Sequence, residues 1–354
     1  MDNQNDKDNY VKSSKGSETN SKEKIFGQLT NGKLLFLGVI SLLLSVLGPL
    51  CIFAPVPMAV AFLLYGKSRS WIMSLSLSAI VLIVSLVFKD LAGLLSVSIS
   101  YFIATLVAFL TARVVWNKTN PVTGLIKNGL FVFTLIALLF GAAQIVSEKP
   151  VLDLVTEQVK HFGDVLKQSP DYDKLIATGG EQAESWKYIV EQPKEIASKF
   201  LKMAFAGVFV GVFFVFWMSQ FMLMRNTLIW RELHDYPYTM KDFVRFKIPE
   251  QFVFVLLGAM AMIPLGTHVL ENEMLQVVGW NIVYSLGVFY FFQGFGIVSE
   301  ALDAFGIFGF FRSVLIILTI FMGYQFVSLL GVVDIWVNFR KFLKKKNNNE
   351  GDII

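Results

Sequence analysis

The sequence predicts an all-α fold: a polytopic transmembrane helix bundle of about eight to nine membrane segments with a small extramembrane helical insert. Of the 354 residues, 55% are hydrophobic and only 16% are charged, whereas about a quarter of the residues of a soluble domain are charged. Apolar runs long enough to cross a bilayer recur along the chain. One long polar stretch, residues 147–199, interrupts them. We therefore expect a multi-pass protein of the cytoplasmic (inner) membrane.

The chain begins with a polar segment, residues 1–33, rich in Asn, Ser, Lys and Asp. Such a composition cannot bury enough apolar surface to order itself. The segment is also too long and too mixed in charge for a secretory signal. We predict a disordered cytoplasmic tail, followed by a first transmembrane helix group over residues 34–146.

Apolar segments follow one another at short intervals after this tail. One of them, residues 54–66, is shorter than a spanning helix and begins around Pro55 and Pro57, and proline disrupts a helix interior. It is either a short buried helix or a re-entrant piece. The predicted segments are 34–53, 54–66, 71–88, 91–115, 125–146, 200–224, 251–270, 275–298 and 313–333.

The basic residues set the expected orientation. With a cytoplasmic N-terminus, the loops rich in Lys and Arg fall inside and the loop "ENE" at 271–273 falls outside, as the positive-inside rule requires. Nine crossings, however, would place the basic C-terminal end outside. We therefore expect eight crossings, or ten, with the miscounted one at 54–66 or in the glycine-rich region 287–312.

The end of the chain has the pattern of an interfacial helix. Polar and apolar residues lie on opposite helical faces, which suits the anionic inner leaflet. This pattern closes the predicted second transmembrane group, residues 200–343, and a basic, polar tail follows over residues 344–354. The polar face contains Asp334, Asn338, Lys341 and Lys345.

The polar stretch 147–199 begins with an amphipathic pattern. Its apolar residues recur near one face of a helix, and aromatic residues precede the next apolar segment. We predict a small helical cap outside the membrane, with a plain solvated connector as the alternative. The apolar face comprises Val151, Val155, Val159, Phe162 and Leu166.

Small side chains recur at every fourth position of one apolar run: Ser96, Ser100, Ala104, Ala108 and Ala112. Residues at this spacing lie on one helical face. In a bilayer, small residues let helix backbones approach closely. The column predicts a seam, either for packing within the chain or for docking of a separate membrane protein.

No pattern of catalytic or metal-binding residues occurs in the chain. The motifs HExxH and GxSxG and paired intramembrane aspartates are all missing. His161, His234 and His268 lie far apart in sequence, and Cys51 is the only cysteine, which excludes an intrachain disulfide. We expect neither an enzyme nor a cofactor nor a metal site. The basic residues lie mainly between apolar segments, which argues against a nucleic-acid partner.

Neutral polar residues lie within one aromatic-rich span, "WNIVYSLGVFYFFQG". Polar groups inside a membrane segment are costly and often functional. Asn281, Tyr284 and Gln293 are therefore candidate ligand-binding residues. The alternative for them is hydrogen bonding between helices.

Several short motifs occur in this order along the chain: "PVP" followed by "LLYGKSR", "RN" at 225–226, "FVRFKIPE", "FFQGFGIVS" and "LLGVVDIWVNFRK". Together they resemble the YybS-like family of uncharacterised bacterial membrane proteins, a domain-of-unknown-function family. The resemblance covers roughly residues 34–341. Its matching positions are Pro55, Pro57, Gly66, Arg225, Asn226, Phe246, Pro249, Gln293, Gly294, Gly331, Asp334, Phe339 and Arg340.

This resemblance implies two alternative functions. The family is considered distantly similar to the substrate-binding S components of energy-coupling-factor importers, which implies a transport-related protein that binds a small ligand and docks a coupling subunit. It is also considered similar to MreD-like proteins, which implies a non-transporting scaffold with an envelope-assembly partner. The lipid bilayer is the partner common to both.

Overall fold

The computed structural model describes residues 27–87, 93–146, 149–169 and 171–343, and these residues contain helices and no strand. Within them, seven helices are long and apolar enough to cross a membrane, or eight if one bent pair counts as a span. The predicted all-α polytopic bundle is thus confirmed. Most of the predicted tail 1–33 and all of 344–354 lie outside the described residues.

In the described part of the chain, fifteen α-helices have defined bounds. A 3₁₀ helix (Gly48–Phe53) precedes the second of them, and a π-helical turn (Leu265–Val269) follows the twelfth. The α-helices are α1 (Asn31–Val46), α2 (Pro55–Tyr65), α3 (Lys67–Val87), α4 (Gly93–Trp116), α5 (Pro121–Val146), α6 (Val151–Lys167), α7 (Tyr172–Thr178), α8 (Glu181–Glu191), α9 (Pro193–Met224), α10 (Thr227–His234), α11 (Met240–Val244), α12 (Phe252–Pro264), α13 (Glu273–Ala304), α14 (Gly309–Phe321) and α15 (Tyr324–Val337).

The helices form two compact units that do not follow the chain order. The first unit contains the described residues up to Leu130, the stretch Val212–Lys247 and the described residues from Phe291 onward. The second contains Phe131–Gly211 and Ile248–Tyr290. The long helices α5, α9 and α13 therefore contribute residues to both units.

In the first unit, the short apolar segment is a largely buried helix, α2, and with the preceding 3₁₀ helix it forms an apolar stretch, Gly48–Tyr65, long enough to cross a membrane. The predicted segments 34–53 and 54–66 are thus divided differently, since α1 ends at Val46 and is shorter than a span. Pro55 and Pro57 lie in the first turn of α2, where a backbone N–H has no helical partner, so proline removes donors that would otherwise be unsatisfied. The Ser41 hydroxyl of α1 donates to the carbonyl of Ala54, the residue before α2, at 2.7 Å. Met58 and Phe62 are fully buried.

Hydroxyl groups join α3 to α4 within the first unit. The hydroxyls of Ser74 and Thr105 lie 2.6 Å apart, and that of Ser98 donates to the Ser78 carbonyl at 3.1 Å. Bonds of this kind hold membrane helices together because lipid offers polar groups no alternative partner.

The last predicted span, 313–333, is two helices rather than one. The pair α14 and α15 is bent by 89°, and residues 322–323 separate the two helices. This break lies outside both places where a miscounted crossing was expected, 54–66 and 287–312. The glycine-rich region is helical as far as Ala304, the end of α13.

Both ends of the bent pair contact the C-terminal half of α13. Near the start of α14, Arg312 pairs with Asp303 and its guanidinium donates to the Ser299 hydroxyl at 3.1 Å. Beyond α15, the Arg340 guanidinium lies 3.5 Å from the Gln293 carbonyl. The pair thus returns to the part of α13 from which it starts.

The predicted interfacial helix through Asp334, Asn338 and Lys341 is interrupted. Asn338 adopts a left-handed conformation, with φ 51°, and ends α15. Asp334 is buried rather than on an exposed polar face. The predicted face extended to Lys345, which lies outside the described residues.

In the second unit, α6, α7 and α8 form the predicted helical insert. Gly163 of α6 packs on Val190 of α8, where an added Cβ would lie 3.4 Å from the Val190 Cα atom. The Gln144 side chain accepts from the Val151 N–H at 3.1 Å and caps the start of α6. On the predicted apolar face, Phe162 is exposed and the other four residues are half-buried.

Candidate functional site

Asn281 uses its amide to join two helices of the second unit. Its Oδ1 atom accepts from the Ala206 N–H at 2.9 Å, and its Nδ2 atom donates to the carbonyls of Lys202 and Val277, both at 2.8 Å. Both donor hydrogens of the amide are therefore committed to the protein itself. This arrangement matches hydrogen bonding between helices, the alternative to ligand binding.

The other two candidate ligand residues have environments different from that of Asn281. Tyr284 is half-exposed in the second unit, with its ring stacked on Trp280 at 5.6 Å between centroids. Gln293 is fully buried in the first unit, where its Nε2 atom donates to Asp334 Oδ2 at 3.2 Å. The three predicted residues thus do not form one site within either unit.

Gln293 belongs to a hydrogen-bonded cluster in the first unit, which we call the Asp334 cluster. It comprises Gln293, Asp334, Arg340 and the backbone N–H of Phe339. Asp334 is 6% exposed, and its second oxygen, Oδ1, accepts from the Phe339 N–H at 2.8 Å. Each side-chain oxygen of Asp334 thus has a hydrogen-bond donor, as buried polar atoms generally do.

Arg340 binds backbone oxygens from two other segments. Its Nη2 atom lies 3.2 Å from the carbonyls of both Val244 and Phe246, and 3.5 Å from that of Gln293. Hydrogen bonds from a charged donor are stronger than neutral ones. Arg340 therefore joins the segment beyond α15 to α13 and to the end of α11.

Glycines let the backbones meet at this cluster. A Cβ atom added to Gly294 would lie 1.9 Å from the Val327 carbonyl oxygen, and one added to Gly296 would lie 1.9 Å from that of Val244. Side chains cannot occupy such space, so α13 touches α15 and the end of α11 directly.

Three of the motifs that carry the family resemblance meet here, although they are far apart in sequence. Phe246 belongs to "FVRFKIPE", Gln293 to "FFQGFGIVS", and Asp334 and Arg340 to "LLGVVDIWVNFRK". Sequence reasoning selected Gln293 but missed the burial of Asp334. A lone carboxylate inside the apolar stretch "LLGVVDIWV" was the available signal, because such residues usually face the protein interior.

The small-residue column lies on α4, and its burial differs from one end to the other. Ala104, Ala108 and Ala112 are buried, whereas Ser96 and Ser100 are exposed. Burial of the alanines within one chain is the geometry that a packing seam requires. Its use for docking a partner stays a prediction.

The exposed part of the column borders a cavity of about 410 Å³ in the first unit. The 3₁₀ helix and the ends of α1 and α2 form the opposite wall, and the small side chains of both walls leave the space open. The residues that define it best are Ser45, Gly48, Cys51, Pro55, Ser100 and Ala104.

A smaller, charged cavity of about 140 Å³ lies near the end of α13. Arg245 Nε is 3.5 Å from Glu300 Oε1 there, and Lys241, Asp303 and Leu343 complete much of its wall. Arg245 and Glu300 pair with each other, and Asp303 pairs with Arg312, so three of its charged groups already have partners. Over the described ranges, no three His, Cys, Asp or Glu side chains come together as metal ligands.

Comparison with known proteins adds one match. Residues 34–335 match the family described as predicted membrane protein (DUF2232). No curated protein and no solved structure matches the chain. The match covers most of the sequence and agrees with the membrane-protein family of unknown function that the motifs indicate. The chain therefore belongs to the DUF2232 family of predicted membrane proteins.

Proposed function

We propose that this integral membrane protein is transport-related and binds a small ligand among its helices, as S components do. The observation that carries the proposal is the cavity beside α4. Its volume, about 410 Å³, lies in the range of ~300–1,000 Å³ that small-molecule sites occupy.

The chain builds this cavity with residues that suit a site at membrane depth. The 3₁₀ helix Gly48–Phe53 is irregular backbone between two apolar helices, and such backbone is tolerated inside a membrane where protein or a cavity adjoins it. Opposite it, Ser100 and Ala104 are too small to fill the space.

The proposal includes a coupling subunit and a location in the cytoplasmic membrane, and it includes no catalytic step. Ser96 and Ser100 are the part of the predicted seam that is exposed to such a partner. The loops rich in Lys and Arg support the cytoplasmic side for the N-terminus.

The sole cysteine offers a direct test, since Cys51 is exposed and lines the cavity. Purified protein would be screened with vitamins and other small molecules by thermal unfolding, with the rate of Cys51 alkylation as a second readout. A ligand should raise Tm and slow alkylation.

A cavity-filling variant and a matched control sharpen this test. Ser100→Phe, at an exposed lining position, should abolish both effects, whereas Ile99→Phe, on the same helix and 53% exposed but not part of the lining, should retain them. Failure of every compound to change either readout would rule out ligand binding at this cavity.

A second candidate function, a non-transporting MreD-like scaffold for envelope assembly, is favoured by a different observation. The amides of Asn281 and Gln293 bind groups of the protein itself. A scaffold predicts that Ser100→Phe, at an exposed position of the cavity lining, is tolerated in cells while deletion of residues 344–354 abolishes function. Capture of cell-wall machinery, rather than a coupling ATPase, from native membranes would support it.

A further inference from the structure

The cavity beside α4 has a lining that selects against charge. None of its lining residues is Asp, Glu, Lys, Arg or His. A charged ligand would lose its hydration there without gaining a counter-charge, and that loss is costly in an apolar site. The lining therefore favours a neutral ligand.

Three polar atoms in the lining limit what a neutral ligand can bind. They are the hydroxyls of Ser45 and Ser100 and the thiol of Cys51. The Ser45 hydroxyl donates to the Ser41 carbonyl at 2.9 Å, so toward a ligand it acts as an acceptor. A ligand hydroxyl can donate to it, while the rest of the ligand meets Val46, Ile103 and other apolar side chains.

Apolar side chains in and next to the lining are exposed. Val46, which lines the cavity, and Leu47 and Leu50, which adjoin the lining residues Gly48 and Cys51 in sequence, are each about half exposed, and exposed apolar side chains of a membrane bundle meet lipid tails. A ligand that enters past them must first dissolve in the bilayer. This requirement also favours a neutral molecule with an aliphatic body.

The volume sets the size of that body. At ~30 Å³ for each group, the share of a water molecule in the liquid, about 410 Å³ holds on the order of 14 non-hydrogen atoms. An aliphatic chain of about twelve carbons with one hydroxyl fills this space.

We infer that the cavity bordered by Gly48, Cys51, Ser100 and Ala104 binds a neutral molecule with an aliphatic body and one hydroxyl group. This inference rests on the proposed function, because it names the ligand class of the same cavity. The molecule is either a free alcohol or the hydroxyl-bearing end of a neutral lipid.

The test uses full-length protein in phosphatidylcholine nanodiscs and three probes of equal chain length: 1-dodecanol, dodecanoate and dodecylammonium. Alkylation of Cys51 by N-ethylmaleimide is followed by mass spectrometry, and thermal unfolding is measured in parallel. At ten times its apparent Kd, 1-dodecanol should slow alkylation about tenfold and raise Tm, and the charged probes should do neither. A further measurement with dioleoylglycerol distinguishes a free alcohol from a neutral lipid. Protection of Cys51 by dioleoylglycerol but not by 1-dodecanol identifies a neutral lipid as the ligand.

The cavity variants decide the other outcomes. Ser100→Phe should lose the effect of 1-dodecanol and Ile99→Phe should keep it. An equal effect in Ser100→Phe would mean that the alcohol acts through the bilayer, which overturns the inference. Protection by dodecanoate or dodecylammonium alone would overturn the ligand class but leave ligand binding intact. Absence of protection by every probe and every screened compound would overturn the proposed function as well.

Discussion

Gly294→Ala tests whether direct backbone contact holds the Asp334 cluster together. The new Cβ atom would lie 1.9 Å from the Val327 carbonyl oxygen, and Cβ atoms essentially never approach within 3.0 Å of a neighbour. The oxygen must therefore retreat by about 1.1 Å, which is the difference between these two distances. Because Val327 belongs to α15, this movement shifts the helix that carries Asp334.

The cost has three parts. Overpacking costs ~1–3 kcal/mol, and a shift of this size stretches the 3.2 Å Gln293–Asp334 bond beyond hydrogen-bond range, at a cost of ~1 kcal/mol. The better helix propensity of alanine offsets up to ~1 kcal/mol. We expect a net loss of about 1–3 kcal/mol in the free energy of unfolding.

Thermal unfolding of the purified protein in detergent measures this loss, at about 1 °C of Tm for each kcal/mol in a chain of this length. Gly258→Ala is the matched control, because Gly258 also lies in an apolar helix but has nothing within 4 Å of an added Cβ. The control should leave Tm unchanged or raise it. Equal Tm values for the two variants would refute the close contact between α13 and α15.

Three further predictions concern other parts of the chain. Asn281→Leu should cost about 1–3 kcal/mol of stability by removing the hydrogen bonds of its amide to the Ala206 N–H and the Lys202 carbonyl, whereas Tyr284→Phe, at a half-exposed ring, should leave Tm unchanged; equal Tm values would contradict the role of Asn281. In a Cys51→Ser background, single cysteines at positions 308 and 338 should react with an impermeant maleimide from the same side of the membrane. The reason is that both ends of the α14–α15 pair contact the C-terminal half of α13. Labelling from opposite sides would show instead that the pair crosses the membrane. The Thr239 N–H, together with the Thr239 hydroxyl, holds the pKa of Asp242 below its ordinary value. The stabilising contribution of Asp242 is therefore present above its unfolded-state pKa and is lost as pH falls through its lowered folded-state pKa. Asp242→Asn should reduce the acid sensitivity of Tm, and an unchanged pH profile would argue against this contribution.

The sequence determined the fold class and most helices of this protein through hydropathy. Long apolar runs can satisfy their backbone groups in lipid only as helices, and α3, α4, α5, α9 and α13 overlap the predicted segments. The amphipathic start of the insert likewise predicted α6. Hydropathy carries no information about the direction of a helix axis, however. The 89° bend between α14 and α15, within the predicted segment 313–333, was therefore missed.

The candidate sites were only partly readable from the sequence. The spacing of Ala104, Ala108 and Ala112 placed them on one face because helical periodicity is local. Selection of Asn281 and Gln293 as polar residues of one span did not reveal their partners. Those partners, Ala206 and Asp334, lie 75 and 41 residues away along the chain.

By itself, the sequence determined that this chain is a helical membrane protein, because the cost of exposing apolar side chains to water and unpaired backbone groups to lipid depends on composition. Only the tertiary structure decided that Asp334 is buried, that Arg340 reaches the carbonyls of Val244 and Phe246, and that Ser100 borders a cavity. These features depend on which helices meet and at what angle. Van der Waals contacts and hydrogen bonds between residues remote in sequence set that geometry, and both act over only a few ångströms.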